Sequence, residues 1–421
     1  MRAADTPHDP YAALRIPNYR RYIFSLLALT LAVQVQGVVV AWQMYDLTHD
    51  PLSLGLIGLA EALPFIGSAL FAGHVADRHD RRRLTLASIG VLVLCSLALL
   101  ALTLRPHPVA AEQVRLMYGV IFVSGFARSF LQPARTALGA ELIPRALYAS
   151  AVTWRSLVWQ IAAVAGPALG GLLYGFSGAT SAYSLDVVLI TTALVSFALI
   201  RHVSPVRARG TESMAESLAS GVRFVWAQPV ILGALTLDLF SVLFGGAVAL
   251  LPVFAAEILH VGPQGLGLLR AAPAVGAVLV SLSLAHRRPF RRAGPTLLWA
   301  VALFGLAMIG FGLSRNVYLS VFFLAFSGAV DMVSVVVRST LLQVFTPEYL
   351  LGRVSSVNAI FIGSSNEIGA IESGVTAKLL GTATSVVVGG VLTVAVVALT
   401  ALRLPPLRRL RTIEAGPAAA G

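Results

Sequence analysis

The sequence predicts an all-α integral membrane protein, with twelve transmembrane helices in two pseudo-symmetric halves of six. Three observations predict this class. Of the 421 residues, 57% are hydrophobic and only 12% are charged, about half the charge of an ordinary soluble domain. Apolar runs of about 20 residues, each able to cross a hydrocarbon core about 30 Å thick, recur along nearly the whole chain. Landmarks of the first six runs also return, in order, in the second six.

The runs fall at about 22–44, 52–73, 84–104, 115–138, 149–175, 181–201, 229–255, 263–285, 295–313, 317–340, 354–376 and 383–402. The first has no small-residue cleavage site behind it and is too long for the apolar core of a signal peptide, so it is expected to be retained. Basic residues then sort by side. All 31 are Arg except Lys378. With the N-terminus inside, twenty-four fall on the cytoplasmic side, in clusters such as Arg81, Arg82, Arg83 and Arg287, Arg288, Arg291, Arg292. Only Arg105, Arg115, Arg315 and Lys378 fall opposite, while Arg128, Arg155 and Arg270 lie inside runs. This positive-inside pattern puts both termini in the cytoplasm. The net charge of +12 therefore orients the chain in the bilayer and does not point to nucleic acid.

Four regions are expected. Residues 1–202 form one six-helix half and 229–402 the other. Between them, 203–228 is a cytoplasmic linker in which Met214, Leu218, Val222, Val225 and Trp226 recur at helical spacing, the pattern of an amphipathic helix on the membrane surface. Residues 403–421 are short, basic and rich in Pro, Ala and Gly, and are expected to be a disordered cytoplasmic tail. The repeat has two offsets. At 203, Gly125, Arg135, Pro144, Gly166 and Gly171 fall on Gly328, Arg338, Pro347, Gly369 and Gly374; at 209, Pro64, Gly67, Arg82 and Arg83 fall on Pro273, Gly276, Arg291 and Arg292. Two facing repeats of this kind place a substrate near the midplane between them.

One charged stretch interrupts the apolar pattern: Gly73-His74-Val75-Ala76-Asp77-Arg78-His79-Asp80-Arg81-Arg82-Arg83-Leu84. It cannot lie in hydrocarbon, so it is read as a cytoplasmic loop between the second and third runs. There it resembles the signature loop of the major facilitator superfamily, G-x-L-a-D-R-x-G-R-[RK]. Gly73, Asp77, Arg78, Arg81 and Arg82 match, Val75 replaces Leu, and Asp80 stands where Gly is usual. The resemblance implies the major facilitator fold and a latch between the halves. Asp77 would meet the positive N-terminal end of the eleventh span near Arg353, and one of Arg78, Arg81 or Arg82 would pair with an acid such as Glu141. Gly166-Pro167-Ala168-Leu169-Gly170-Gly171 resembles the G-P-x-x-G-G core of the antiporter motif of drug/proton exporters, with Ala162 in place of the usual upstream Gly. The phrases around Gln132-Pro133-Ala134-Arg135 and Leu351-Gly352-Arg353-Val354 resemble the branch holding macrolide-efflux proteins and enterobactin exporters.

Charges inside spans need a partner, water or a function, because each costs at least about 2.5–3.5 kcal/mol to insert. They are Glu61, Arg128, Arg155, Asp186, Asp238, Arg270, Asp331, Glu367 and Glu372. Arg128 and Asp331 are repeat-equivalent, as are Glu61 and Arg270. Asp331, Asp238 and Glu61 are the candidates for carrying a coupling proton, with Arg128 controlling the acid or an anionic substrate group. Burial and a neighbouring cation shift a carboxyl's proton affinity in opposite senses, so a conformational change can gate the proton. Gln34, Gln36, Gln132 and Trp154 are further cavity candidates, offering hydrogen bonds and stacking.

Other classes are excluded by what the chain lacks. Cys95 is the single cysteine and cannot form an intramolecular disulfide. The eight histidines show no metal-ligand spacing. No nucleophile elbow, zinc-protease motif, phosphate loop or dinucleotide fingerprint occurs, so no enzyme, cofactor or ATP-driven pump is expected. The expectation is a monomeric secondary transporter in the bilayer, exporting a small amphipathic molecule in exchange for protons. A metabolite symporter is the alternative transporter reading, and a sensor or assembly factor on the same fold is the alternative of another class.

Overall fold

The computed structural model describes residues 11–105, 109–201, 214–286 and 292–410. Helix α1 (Pro17–Thr48) opens on Pro17, whose fixed φ suits a first helical turn, and stops where His49 turns left-handed. Asp50 then caps α2 (Pro51–Arg78), accepting from the Leu52 amide at 3.0 Å. The turn to α3 (Arg81–Thr103) is only His79 and Asp80, and Asp80 accepts from the Arg82 and Arg83 amides. The charged stretch is thus mostly helical and not a loop; Asp80, which stands where the signature has Gly, is an N-cap.

After α4 (Ala110–Glu141) comes α5 (Tyr148–Ala198), an unbroken helix in its hydrogen bonding except at Gly178, which takes φ 80, ψ 176. Only glycine adopts that conformation readily. The chain reverses there. Near the start of α1, Tyr19 donates to Ala151 and Ser25 to Ala193; near its end, Trp42 meets Tyr174 and Tyr183 donates to Gln43. Two antiparallel arms therefore run beside α1, corresponding to the expected fifth and sixth spans.

The second half follows α6 (Met214–Ala227) with α7 (Pro229–Gly245), α8 (Leu251–Val253), α9 (Gly262–Ala285), α10 (Ala293–Leu313), α11 (Val317–Phe345), α12 (Glu348–Leu380), α13 (Thr382–Arg403) and α14 (Pro405–Arg409). Helix α7 breaks at Gly246 into a 3-10 turn, the short α8 and a π turn, Phe254–Ile258. Pro252 lies within this broken stretch; it has no amide hydrogen and crowds the carbonyl four residues back, that of Val248, so a regular helix cannot run through it undisturbed. Among the described residues, ten helical segments are long and apolar enough to cross a membrane. The reversal at Gly178 splits one of them, and α12, 33 residues long but carrying Glu367 and Glu372, adds another long segment.

Packing repeats with the sequence. A side-chain carbon at Gly125 would lie 2.5 Å from the Glu61 carbonyl and close to Pro64; Gly328 abuts Pro273 in the same way. Gly166 packs on Gln34 of α1, and Gly369 on Leu243 of α7, the residue 209 positions on. One departure from expectation occurs outside the spans. Order extends past 403, since Leu407 is buried and the Leu410 carbonyl accepts from Gly294 at 3.2 Å; Leu404, Leu407 and Leu410 fill an apolar site formed with α7 and α10. Residues 411–421 lie outside the described residues. The linker helix α6 lies on the start of α12, where Arg353 donates to Ser220 at 3.0 Å and Val225 packs with Val354 and Val357.

The halves meet through α5 with α9 and α2 with α12. Both seams lie at the end away from the chain termini and are built on glycine: Gly171 against Gly267, and Gly55 against Gly374. The same end is tied by Lys378 to Asp50 at 2.7 Å and by Tyr45 to Glu257.

Candidate substrate cavity

Below the seams, a cavity of about 500 Å³ lies between the halves. One face of α1 lines it through Val33, Gln34, Gln36, Gly37, Val40 and Ala41, the spacing of a single helical stripe. The broken stretch from Val242 to Ala249 also lines it; irregular backbone at membrane depth is tolerated where it borders such a space.

Charges face one another across the cavity. On the N-terminal wall, Glu61 of α2 and Arg128 of α4 form an ion pair. On the C-terminal wall stand Arg270 of α9, Asp331 of α11, and Asn366 and Glu367 of α12. Arg270 reaches across and donates to the Gly37 carbonyl at 2.9 Å. Asp331 has no ion-pair partner among the described residues. The two repeat-related charge pairs of the sequence, Arg128 with Asp331 and Glu61 with Arg270, therefore all reach one space, but Arg128 pairs within its own half and not with Asp331.

Gln34 and Gln36 both line the cavity, and Gln36 is held from behind. Its amide nitrogen donates to Asp186 at 3.0 Å and to Ser96 at 3.1 Å. Asp186 is 1% exposed, and its other carboxyl oxygen has no hydrogen-bond partner among the described residues. Gln132 lies one turn beyond Arg128, in a second cavity of about 460 Å³ bordered by Tyr22, Arg135, Arg155 and Trp159.

Two further expected site residues, the proton-carrier candidate Asp238 and the cavity candidate Trp154, line neither cavity among the described residues. Asp238 pairs with Arg338 inside the second half, where the two side chains are 6% and 5% exposed; α7 turns that face toward α11 and away from the cavity. Trp154 packs into the core of the first half, with its ring 5.8 Å from that of Tyr11. Arg270, Glu367 and Asn366 went unselected from the sequence, although Arg270 carried a usable signal as the repeat equivalent of Glu61.

Of the latch residues, Arg81 meets Glu141 at 2.5 Å, with both side chains about 10% exposed. Arg82 donates to the Ala198 carbonyl at 2.7 Å. Both contacts stay within the first half. Gly73 lies in α2, whose last turns carry Asp77 and Arg78; the side chains of those two lie outside the described residues. In the Gly166-Pro167-Gly170-Gly171 motif, Gly166 and Gly170 pack on α1 at Gln34 and Val35, while the Pro167 carbonyl and Gly171 form the seam with Gly267.

The sequence profile of a family described as transmembrane secretion effector matches residues 8–417. The enterobactin exporter EntS of Citrobacter koseri is 28% identical over 402 residues, covering 94% of this chain and 94% of that one. Among solved structures, a D-xylose–proton symporter superposes with a TM-score of 0.71 at 12% identity, covering 94% of this chain and 99% of that one. A bacterial homolog of the human lysosomal transporter Spinster, in an inward-facing and unoccupied conformation, gives 0.67 at 16% identity, covering 95% and 99%. At these identities the two structures share the fold alone.

Proposed function

The chain belongs to the transmembrane secretion effector family of the major facilitator superfamily, and on that premise we propose that it exports a small amphipathic molecule in exchange for protons. It is a multi-pass membrane transporter. The observation that carries the export reading is the cavity between the halves, charged on both walls and closed at one end by two glycine seams. The asymmetry of the arginines supports both termini lying in the cytoplasm, and relatedness to bacterial exporters supports a bacterial inner membrane. In that orientation the closed end faces outward, and the cavity loads from the cytoplasm. Export then follows by alternating access: the seams part, the arginine-rich ends of the halves approach, and the cargo leaves outward.

Asp331 is the residue we assign to the coupling proton. It borders the cavity on α11 without a cationic partner, so it can be neutral in one state and ionised in the other. Glu61 is tied to Arg128, and Asp238 to Arg338 outside the cavity, which makes both weaker candidates. A volume of about 500 Å³ suits a drug, a metabolite or part of a siderophore; relatedness to enterobactin exporters supports the siderophore class. A single chain holds both walls, so a monomer suffices.

The test is accumulation of a drug and of a siderophore in an efflux-deficient host, with and without an uncoupler. Wild type is expected to lower accumulation, and the uncoupler to restore it. Asp331→Asn is expected to insert normally yet leave accumulation high. Uncoupler-sensitive efflux at the wild-type rate in that variant would overturn the assignment.

A further inference from the structure

The two halves share their packing but not their charges on the cytoplasmic side of the cavity. In the second half, Arg338 is neutralised by Asp238, and both are buried. Its repeat equivalent, Arg135 on α4, has no such acid: the position 209 residues before Asp238 is Leu29. Arg135 donates only to the Gln132 side-chain oxygen, at 2.5 Å, and pairs with no carboxylate among the described residues. Arg155 on α5 likewise pairs with none, and its repeat equivalent is the uncharged Asn358. The first half has therefore kept one guanidinium without its counter-charge and holds a second where its twin has none.

Both arginines border the second cavity, of about 460 Å³, and among the described residues no Asp or Glu lines it. Gln132, Thr30, Ser156, Tyr22 and Trp159 complete the polar and aromatic lining among the described residues. The space continues the faces of α1 and α4 that line the central cavity: Thr30 precedes Gln34 by one turn, and Gln132 follows Arg128 by one turn. It therefore lies on the path from the cytoplasm to the central cavity.

A guanidinium at membrane depth without a counter-ion is unfavourable unless water or an anion reaches it. Its planar fork of donors matches carboxylate, sulfonate and phosphate oxygens. Because the Gln132 oxygen is engaged by Arg135, its amide nitrogen is left to donate to an incoming acceptor. Trp159 is 59% exposed and offers a face for a flat apolar body beside the charge. We propose that this cavity is a loading site for an organic anion, whose oxyanion group is held by Arg135 and Arg155 before the molecule passes to the central cavity. The direction of passage rests on the exporter reading; the site itself does not. An anionic phospholipid headgroup shares the chemistry, but continuity with the central cavity favours a dissolved solute.

The test uses the full-length protein in nanodiscs of phosphatidylcholine, with labelled 2-naphthoate and its neutral counterpart 2-naphthamide. Wild type is expected to bind the naphthoate at least ~10-fold more tightly, equivalent to about 1.4 kcal/mol. Arg135→Gln with Arg155→Gln is expected to abolish that preference and leave naphthamide binding unchanged. Lys at both positions is expected to keep part of it. Equal affinities in wild type, no binding of either compound, or a preference that survives the double Gln change would each overturn the site. Phosphatidylglycerol in the nanodisc is expected not to displace the naphthoate, and displacement would assign the pocket to lipid. A protein that selects naphthoate yet exports nothing would refute the exporter reading alone; one that exports neutral drugs without charge preference would refute only this site.

Discussion

Removing the carboxylate of Asp238 while leaving Arg338 separates a structural ion pair from a proton carrier. The two side chains are 6% and 5% exposed, so screening by water is slight and the buried-pair magnitudes apply. Deleting one partner leaves an uncompensated charge and costs about 3–5 kcal/mol, a large share of the ~5–15 kcal/mol that holds a typical fold. Replacing both partners by apolar residues of similar volume is commonly neutral or stabilising by about 1–4 kcal/mol. Asp238→Asn is therefore expected to lose two orders of magnitude or more in the folded-to-unfolded ratio, whereas Asp238→Leu with Arg338→Met recovers it. The assay is the fraction of extracted protein that stays monodisperse after heating, read beside uncoupler-sensitive efflux. The double variant should retain both. An Asp238→Asn protein as heat-resistant as wild type would refute the energetic reasoning. A stable double variant whose efflux no longer responded to the uncoupler would return Asp238 to the coupling machinery.

Two further outcomes follow from the closed end. A side-chain carbon at Gly171 would lie 2.5 Å from the Pro263 carbonyl and 2.7 Å from the Gly267 Cα, both backbone atoms that cannot swing aside; Gly171→Ala is expected to cost the closed state about 1–3 kcal/mol. Spin labels at the exposed Ser177 and His260, in a Cys95→Ser background, should then show a longer, broader distance distribution, and an unchanged distribution counts against the seam. The bond to Lys378 holds the Asp50 carboxyl below its ordinary pKa. A depressed carboxyl pKa contributes stability that is full above the unfolded value and is lost as pH falls through the folded one. Acidification below the usual carboxylate range should therefore loosen this end in wild type and have no such effect in Lys378→Gln. Both side chains are more than a third exposed, so at most ~1 kcal/mol is at stake, less in salt. Asp50→Asn should match Lys378→Gln, since Asn keeps the N-cap of α2.

The spans were legible because hydrocarbon imposes length and apolarity on each run, and the duplication because glycine contacts tolerate no substitution: Gly125 on Pro64 and Gly328 on Pro273 report one constraint twice. Site membership was legible only in part. Glu61, Arg128 and Asp331 reach the cavity, as do Gln34 and Gln36, because α1, α2, α4 and α11 face the other half. Asp238 looked equivalent as a lone charge in a span, yet its partner Arg338 lies 100 residues on in α11, and no local pattern reveals which way α7 is rotated. Trp154 failed for the same reason: one helical position turns it into the core of its own half. Asp80 read as a departure from the signature until helix ends were known, since a cap depends on where the turn falls.

The contacts at the closed end also bear on how readily it opens. Shifting a two-state equilibrium from one side to the other takes about 5.5 kcal/mol of differential interaction. The polar ties are small on that scale: up to ~1 kcal/mol from the exposed Asp50–Lys378 pair, and about 1.5–3 kcal/mol from the Tyr45 hydroxyl on the Glu257 carboxylate. The remaining closure rests on backbone touching backbone at Gly171 with Gly267 and Gly55 with Gly374, contacts that bury no charge and leave no polar group orphaned when they part. The strongly held ion pairs, Asp238–Arg338 and Arg81–Glu141, each lie within one half and need not break in a rigid-body movement. Strong electrostatics inside the halves and weak, shape-dependent contact between them is the distribution that the proposed rocking movement requires, since differential binding worth a few kcal/mol would then shift the equilibrium between the two states.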